Sequence, residues 1–288
     1  MIEEKTMPYR GDPTRRSRNI GTAKQGLGKD NRDRIPRLWR ASTLDWRRGH
    51  PHAVVTRQVW GRAMPFLVEH TRQDCLHACT VDDIATMLNL LPKRHINNCR
   101  DINGIQGIAL RQPTRKEQRL SSVWARLGYG VEVGGVIGPV VFIEAQPIPL
   151  SLHWGTSLSP TDQQEFARLV DAADQVDRSR RGHDLRFDLE GIRRVQLFHS
   201  LPHEIGHWAD MYEHVDCPAL DDLDEWERLW DRYFQRPDSE REEFAHRYAE
   251  AAITDLRQSR SVPFDRKLDA TSLTTEGLRL EDFQAKER

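Results

Sequence analysis

Two histidines and a glutamate stand together in His203-Glu204-Ile205-Gly206-His207. On a helix, residues four apart project from the same face, one turn apart. His203 and His207 could therefore offer two neutral imidazole nitrogens to one metal ion. Zn²⁺ is the usual choice for two such nitrogens and a carboxylate. Glu204 lies beside them, placed to take a proton from an activated water rather than to bind the metal. The H-E-x-x-H spacing thus points to metal-assisted hydrolysis. With 12 histidines in 288 residues, the same spacing also arises on an ordinary amphipathic helix with surface histidines. The flanks must decide between the two.

A metal site of this kind needs a rigid carrier. Val195, Phe198, Leu201, Ile205, Trp208 and Tyr212 recur every three or four residues, which predicts a helix from Ile192 to about His214 with one buried face. His199, His203, His207 and Asp210 form a polar row beside that face. Pro202 directly precedes His203. It removes one helical hydrogen bond and crowds the previous turn. The expectation is a kink at Phe198 or a new helix capped by Ser200.

Two histidines do not hold a catalytic zinc; a third protein ligand is needed, with one position left for solvent. Glu242 shares a helical face with Ala245, Ala249, Ala252 and Ile253, a small, apolar side that can press against another helix. Glu243 falls with His246, Arg247 and Glu250 on a face that reads as solvent. Glu242 is the favoured third ligand, Glu243 the fallback, and His246 and Asp210 further candidates. The competing role for Glu242 is a capping box, Ser239-x-x-Glu242, that only satisfies a helix end. Tyr248, Tyr212, His214 and His246 are candidate donors to a developing oxyanion.

H-E-x-x-H followed on a later helix by E-x-x-A, with an aromatic-Ala pair one turn on, resembles the gluzincin metallopeptidases. The short minigluzincin types are closest, including bacterial and phage regulators that cleave repressors. The resemblance covers Val195 to about Ala252. It implies an α+β, zincin-like fold: a small, mostly antiparallel sheet packed on the metal-bearing helix, with further C-terminal helices. It also implies an edge strand that holds an extended peptide. His203, His207 and Glu242 would hold one catalytic Zn²⁺, and Glu204 would act as general base and then acid. The substrate would be a peptide or protein.

Residues 1 to 50 are poor in aliphatics. Between Met1 and Arg40 there are 11 Lys and Arg against 5 Asp and Glu. This predicts a flexible basic arm, which also allows contact with nucleic acid or an acidic partner. An alternative function follows: a catalytically weak zincin-fold regulator that binds through the arm. The expected metallopeptidase domain spans 51–257, and residues 258–288 read as a polar tail that either drapes over the body or stays loose. Thr80-Val-Asp-Asp83 caps a helix carrying Ile84, Met87, Leu88 and Leu91. Ser159-Pro160-Thr-Asp162 starts another. Asp221 to Phe234 and Glu240 to Leu256 read as helices. Ile105–Leu110, Gly130–Val133 and Val140–Ala145 read as strands, and Asp177–Asp184 as a charged loop. Cys75, Cys79, His95 and Cys99 have spacings that could close on a second zinc or remain free thiols. No run of apolar residues is long enough to span a membrane. With no secretory signal, the thiols read as reduced and the location as cytoplasmic.

Overall fold

A computed structural model describes residues 52–97, 104–120, 123–219 and 222–285. The expected basic arm and Cys99 lie outside the described residues. Strands β1 (His52–Val59) and β2 (Arg62–Glu69) form a hairpin. Its two-residue turn puts both Trp60 and Gly61 at positive φ, 51° and 77°, the geometry that matches strand twist. Trp60 tolerates it because its backbone N–H donates to Asn89 and its indole N–H reaches the carbonyls of Leu88 and Leu91.

Among the described residues the main sheet has the order β1-β2-β4-β6-β5, with β4 at Gly107–Arg111, β5 at Ala125–Val133 and β6 at Val136–Glu144. β1/β2 and β5/β6 are antiparallel, whereas β2/β4 and β4/β6 are parallel. The expected mostly antiparallel sheet is therefore a mixed one. Helix α1 (Val81–Leu90) lies in the connection between β2 and β4, and a crossover of that length is what a parallel neighbour requires.

Alternation along the strands divides two cores. Phe66 and Val68 of β2, Ile108 and Leu110 of β4, and Val141 and Ile143 of β6 join the main core with α1 and the metal-motif helix. Leu67, Ala109, Val140 and Phe142 line the opposite face. Both anticipated capping boxes are present: Thr80 with Asp83 at α1, and Ser159 with Asp162 at α2 (Pro160–Ala172).

α2 packs with a second sheet, β8-β10-β9, made of Leu150–Trp154, Gly182–Phe187 and Gln175–Ser179. The expected loop at Asp177–Asp184 is thus part of a hairpin. Its charged residues point outward while Leu185 and Phe187 are fully buried, so charge masked the alternation. A two-stranded piece pairs β3 (Cys75–Leu76) with β7 (Gln146–Pro147).

The expected helix from Ile192 to His214 runs further and is not uniform. It comprises α3 (Leu189–Val195), a π turn at Gln196–Ser200, α4 (Leu201–Met211), a second π turn at Tyr212–Asp216 and a last turn, Cys217–Ala219. The first π turn answers the question set by Pro202. The Leu201 N–H reaches back to the Gln196 carbonyl, five residues away, and this wider turn accommodates the proline without a restart. Ser200 makes no capping bond. Arg193 of α3 fixes the run to α1 through Asp83, with Nε–Oδ2 3.1 Å and Nη2–Oδ1 3.0 Å. Both side chains are buried, so the paired geometry offsets their desolvation.

Two helices follow, α5 (Leu223–Gln235) and α6 (Asp238–Gln258). The tail drapes over the body. It carries α7 (Ala270–Thr275) and buries Leu273, Leu278 and Phe283 in the main core. Asp282 accepts from the Thr71 N–H and hydroxyl and from Arg279. Among the described residues no helix is long and apolar enough to cross a membrane.

His77 sits under this tail, its ring 5.6 Å from that of Phe283 and its Nε2 donating to the Glu69 carbonyl at 2.8 Å. Burial holds its pKa down at about 4. An unfolded histidine titrates near 6.5, so between those values only the unfolded chain takes the proton. The stability this provides is complete above pH 6.5 and is lost as pH falls towards 4. We expect urea unfolding to show a loss between neutral pH and pH ~4.5 that is smaller in His77→Gln by roughly 2 kcal/mol. An equal loss in both proteins would contradict the assignment.

Candidate metal centre

α4 and α6 pack against each other, and Gly206 sets how closely. A Cβ there would lie 2.9 Å from the Ala245 Cα and 3.0 Å from its carbonyl oxygen. The small face foreseen on α6 is the contact face, with Ala245, Ala249 and Ile253 buried. Gly206→Ala gains helix propensity worth about 1 kcal/mol. It also drives a methyl into backbone that cannot rotate away, an overpacking that costs about 1–3 kcal/mol. We expect net destabilisation, read by urea unfolding. A variant as stable as wild type or more so would refute the close-contact role.

Across this contact Glu242 meets both motif histidines. Its carboxylate is turned edge-on, with Oε2 3.3 Å from His203 Nε2 and Oε1 3.5 Å from His207 Nε2. The two Nε2 atoms are 3.0 Å apart, and the rings meet edge to face at 4.6 Å. Zinc–ligand bonds of about 2.0–2.1 Å in a tetrahedron separate ligand atoms by about 3.3–3.4 Å. The three observed separations, two of them to different oxygens of Glu242, bracket that value. One detail departs from the usual pattern: His203 Nδ1 is buried without a hydrogen-bond partner, where a ligating histidine normally donates to an acceptor.

The three side chains are electrostatically linked. Burial works to raise the Glu242 pKa, but hydrogen bonds and charge from His203 and His207 outweigh it and hold the carboxyl well below its ordinary range. Burial works to lower His207, but the bond to Glu242 and the charges of Glu204 and Glu242 hold it above its ordinary value. Glu204 is partly buried and close enough to act electrostatically on His207 and on Tyr129 of β5.

The other candidates fall elsewhere. Glu243 pairs with Arg247 at 2.9 Å on the exposed face. The capping-box role for Glu242 does not occur, because α6 begins at Asp238 with Pro237 at its cap and Ser239 inside the helix. Asp210 is fully buried and accepts from Tyr233 Oη at 3.0 Å and from Arg236 at 3.1 and 3.2 Å, while His214 Nδ1 lies 3.1 Å away. It clamps α5 to α4 rather than joining the histidines. Tyr248 meets His95 Nδ1 at 2.9 Å, and Tyr212 is buried in the core.

His246 does stand at the site. Its ring lies 4.4 Å from that of His203, and His203, Glu242 and His246 each offer a ligand atom within 4.8 Å of the others. Burial, with the His203 and Arg168 charges, lowers its pKa to about 3. Arg168, absent from the sequence-based candidates, reaches His246 from α2. No local sequence signal links residues 78 positions apart.

The cysteine cluster does not form among the described residues. Cys75 takes bonds from Arg72 and Gln118, Cys79 lies against Gln196, and burial pushes the Cys79 thiol up. His95 is held between Arg94 and Tyr248. Compared with known family models, curated proteins and solved structures, the chain matches none.

Proposed function

We propose that this chain is a zinc-dependent peptidase of the gluzincin kind, nearest the minigluzincin type. His203, His207 and Glu242 would hold one Zn²⁺. The observation that carries this reading is the Glu242 carboxylate, delivered from a separate helix and facing both imidazoles of the motif. The edge position of β5 supports a zincin-like arrangement. It is the last strand of the sheet, antiparallel to its neighbour, and it packs beside α4. An extended peptide could add to that edge by backbone pairing.

Zinc bound there would supply a Lewis acid that lowers the pKa of water towards neutrality and polarises a peptide carbonyl. Glu204 takes the proton from the attacking water and returns it to the leaving amine nitrogen. His246 is the donor nearest the ligands and would steady negative charge developing on the carbonyl oxygen. Gly206 and the Asp210 clamp keep α4, α5 and α6 in register so that these groups converge.

The test is a mixed-sequence peptide library incubated with the zinc-loaded chain and read by mass spectrometry. New termini should appear and should vanish with chelator. A library left intact by fully loaded protein would favour the binding-protein alternative instead.

A further inference from the structure

Two overlapping sets of side chains compete for the metal position: His203, His207 and Glu242, or His203, Glu242 and His246. If all four bound together, a tetrahedral zinc would be closed and structural rather than open and catalytic. We infer that Arg168 fixes His246 as its Nδ1–H tautomer and thereby keeps it out of the ligand set, as a hydrogen-bond donor beside the metal. This rests on the zinc reading of the site.

The argument is one of donors and acceptors. Arg168 Nη1 lies 3.3 Å from His246 Nε2. A guanidinium has five N–H donors, no acceptor, and does not lose its proton in proteins. The nitrogen it faces must therefore present a lone pair, and a neutral ring with a bare Nε2 carries its hydrogen on Nδ1. A lone pair occupied by Arg168 is not available to a cation, and the fixed positive charge opposes a second cation on that side. Arg168 is itself held in place, by Glu165 of its own helix at 3.4 Å and Glu250 of α6 at 3.7 Å. The second sheet and α2 thus reach the metal centre through one side chain. His246 stays tilted against His203, ring centroids 4.4 Å apart, with only an N–H to offer.

Long-range ¹H–¹⁵N spectra of the metal-free protein read the tautomer directly. Wild type should show His246 protonated at Nδ1 and bare at Nε2. Arg168→Ala should shift it to a mixture, and Arg168→Lys, which keeps a donor, should restore it. In zinc titrations His246→Ala should change Kd by less than about 3-fold, well under the tenfold that 1.4 kcal/mol would give. His207→Ala should lose more than the about 10–100-fold typical of an outer partner. Cobalt-loaded Arg168→Ala should show an altered visible spectrum as His246 becomes free to ligate.

The inference is overturned if His246→Ala loses zinc as His207→Ala does, or if Arg168→Ala leaves the tautomer unchanged. Wild type that takes up no zinc would instead remove the metal reading and the ligand-set claim with it. The metal-free spectrum would still decide the role of Arg168.

Discussion

Glu204→Gln should leave the fold and the bound zinc in place and remove peptide hydrolysis. Gln matches Glu in size and cannot accept a proton, so the variant takes away the proposed general base and little else. A positioned base contributes about 10²–10⁴ in rate, and cleavage should fall by at least that range. The proposed metal ligands are separate residues, so zinc per chain should not change. Glu204 also helps hold His207 above its ordinary pKa. Its neutralisation therefore eases removal of the His207 proton, which a metal-bound imidazole must lose. The check is kcat on a cleaved peptide beside metal content on the same sample. A variant that cuts as fast as wild type would sink the assignment.

What could be read in advance followed contact range. The caps at Thr80 and Ser159 are settled within one turn, and both are as the sequence indicates. The pairing of His203 with His207 is also local. Glu242 was separable from Glu243 because a run of small residues marks the face of α6 that meets another helix, and Gly206 is the matching gap on α4. Pro202 signalled a disturbance but not its form. A π turn upstream resolves it, and a π turn leaves no composition of its own to recognise.

Strand partners were less legible. β1 and β2 carry charges and a proline among their apolar residues, and the β9–β10 hairpin hides its alternation under arginine and aspartate. Strand direction depends on connections, not on the strands themselves, which is why a mixed sheet replaced the expected one. Arg168 and the Tyr233–Asp210–Arg236 clamp were out of reach of sequence reasoning. Each joins elements that only the tertiary fold brings together.

The second large effect concerns Glu242. Removing its carboxylate leaves two imidazole Nε2 atoms 3.0 Å apart and no third ligand of that set, which is too few for a catalytic zinc. The α4–α6 contact at Gly206 and Ala245 does not depend on this side chain, so the loss is chemical. Glu243→Ala, one position along, changes only an exposed ion pair with Arg247 and serves as the control. The decisive measurement is zinc per chain in purified wild type, Glu242→Ala and Glu243→Ala, each confirmed folded by its unfolding curve. The account predicts one equivalent, none and one. Wild type without zinc, or Glu242→Ala that keeps a full equivalent, would contradict it.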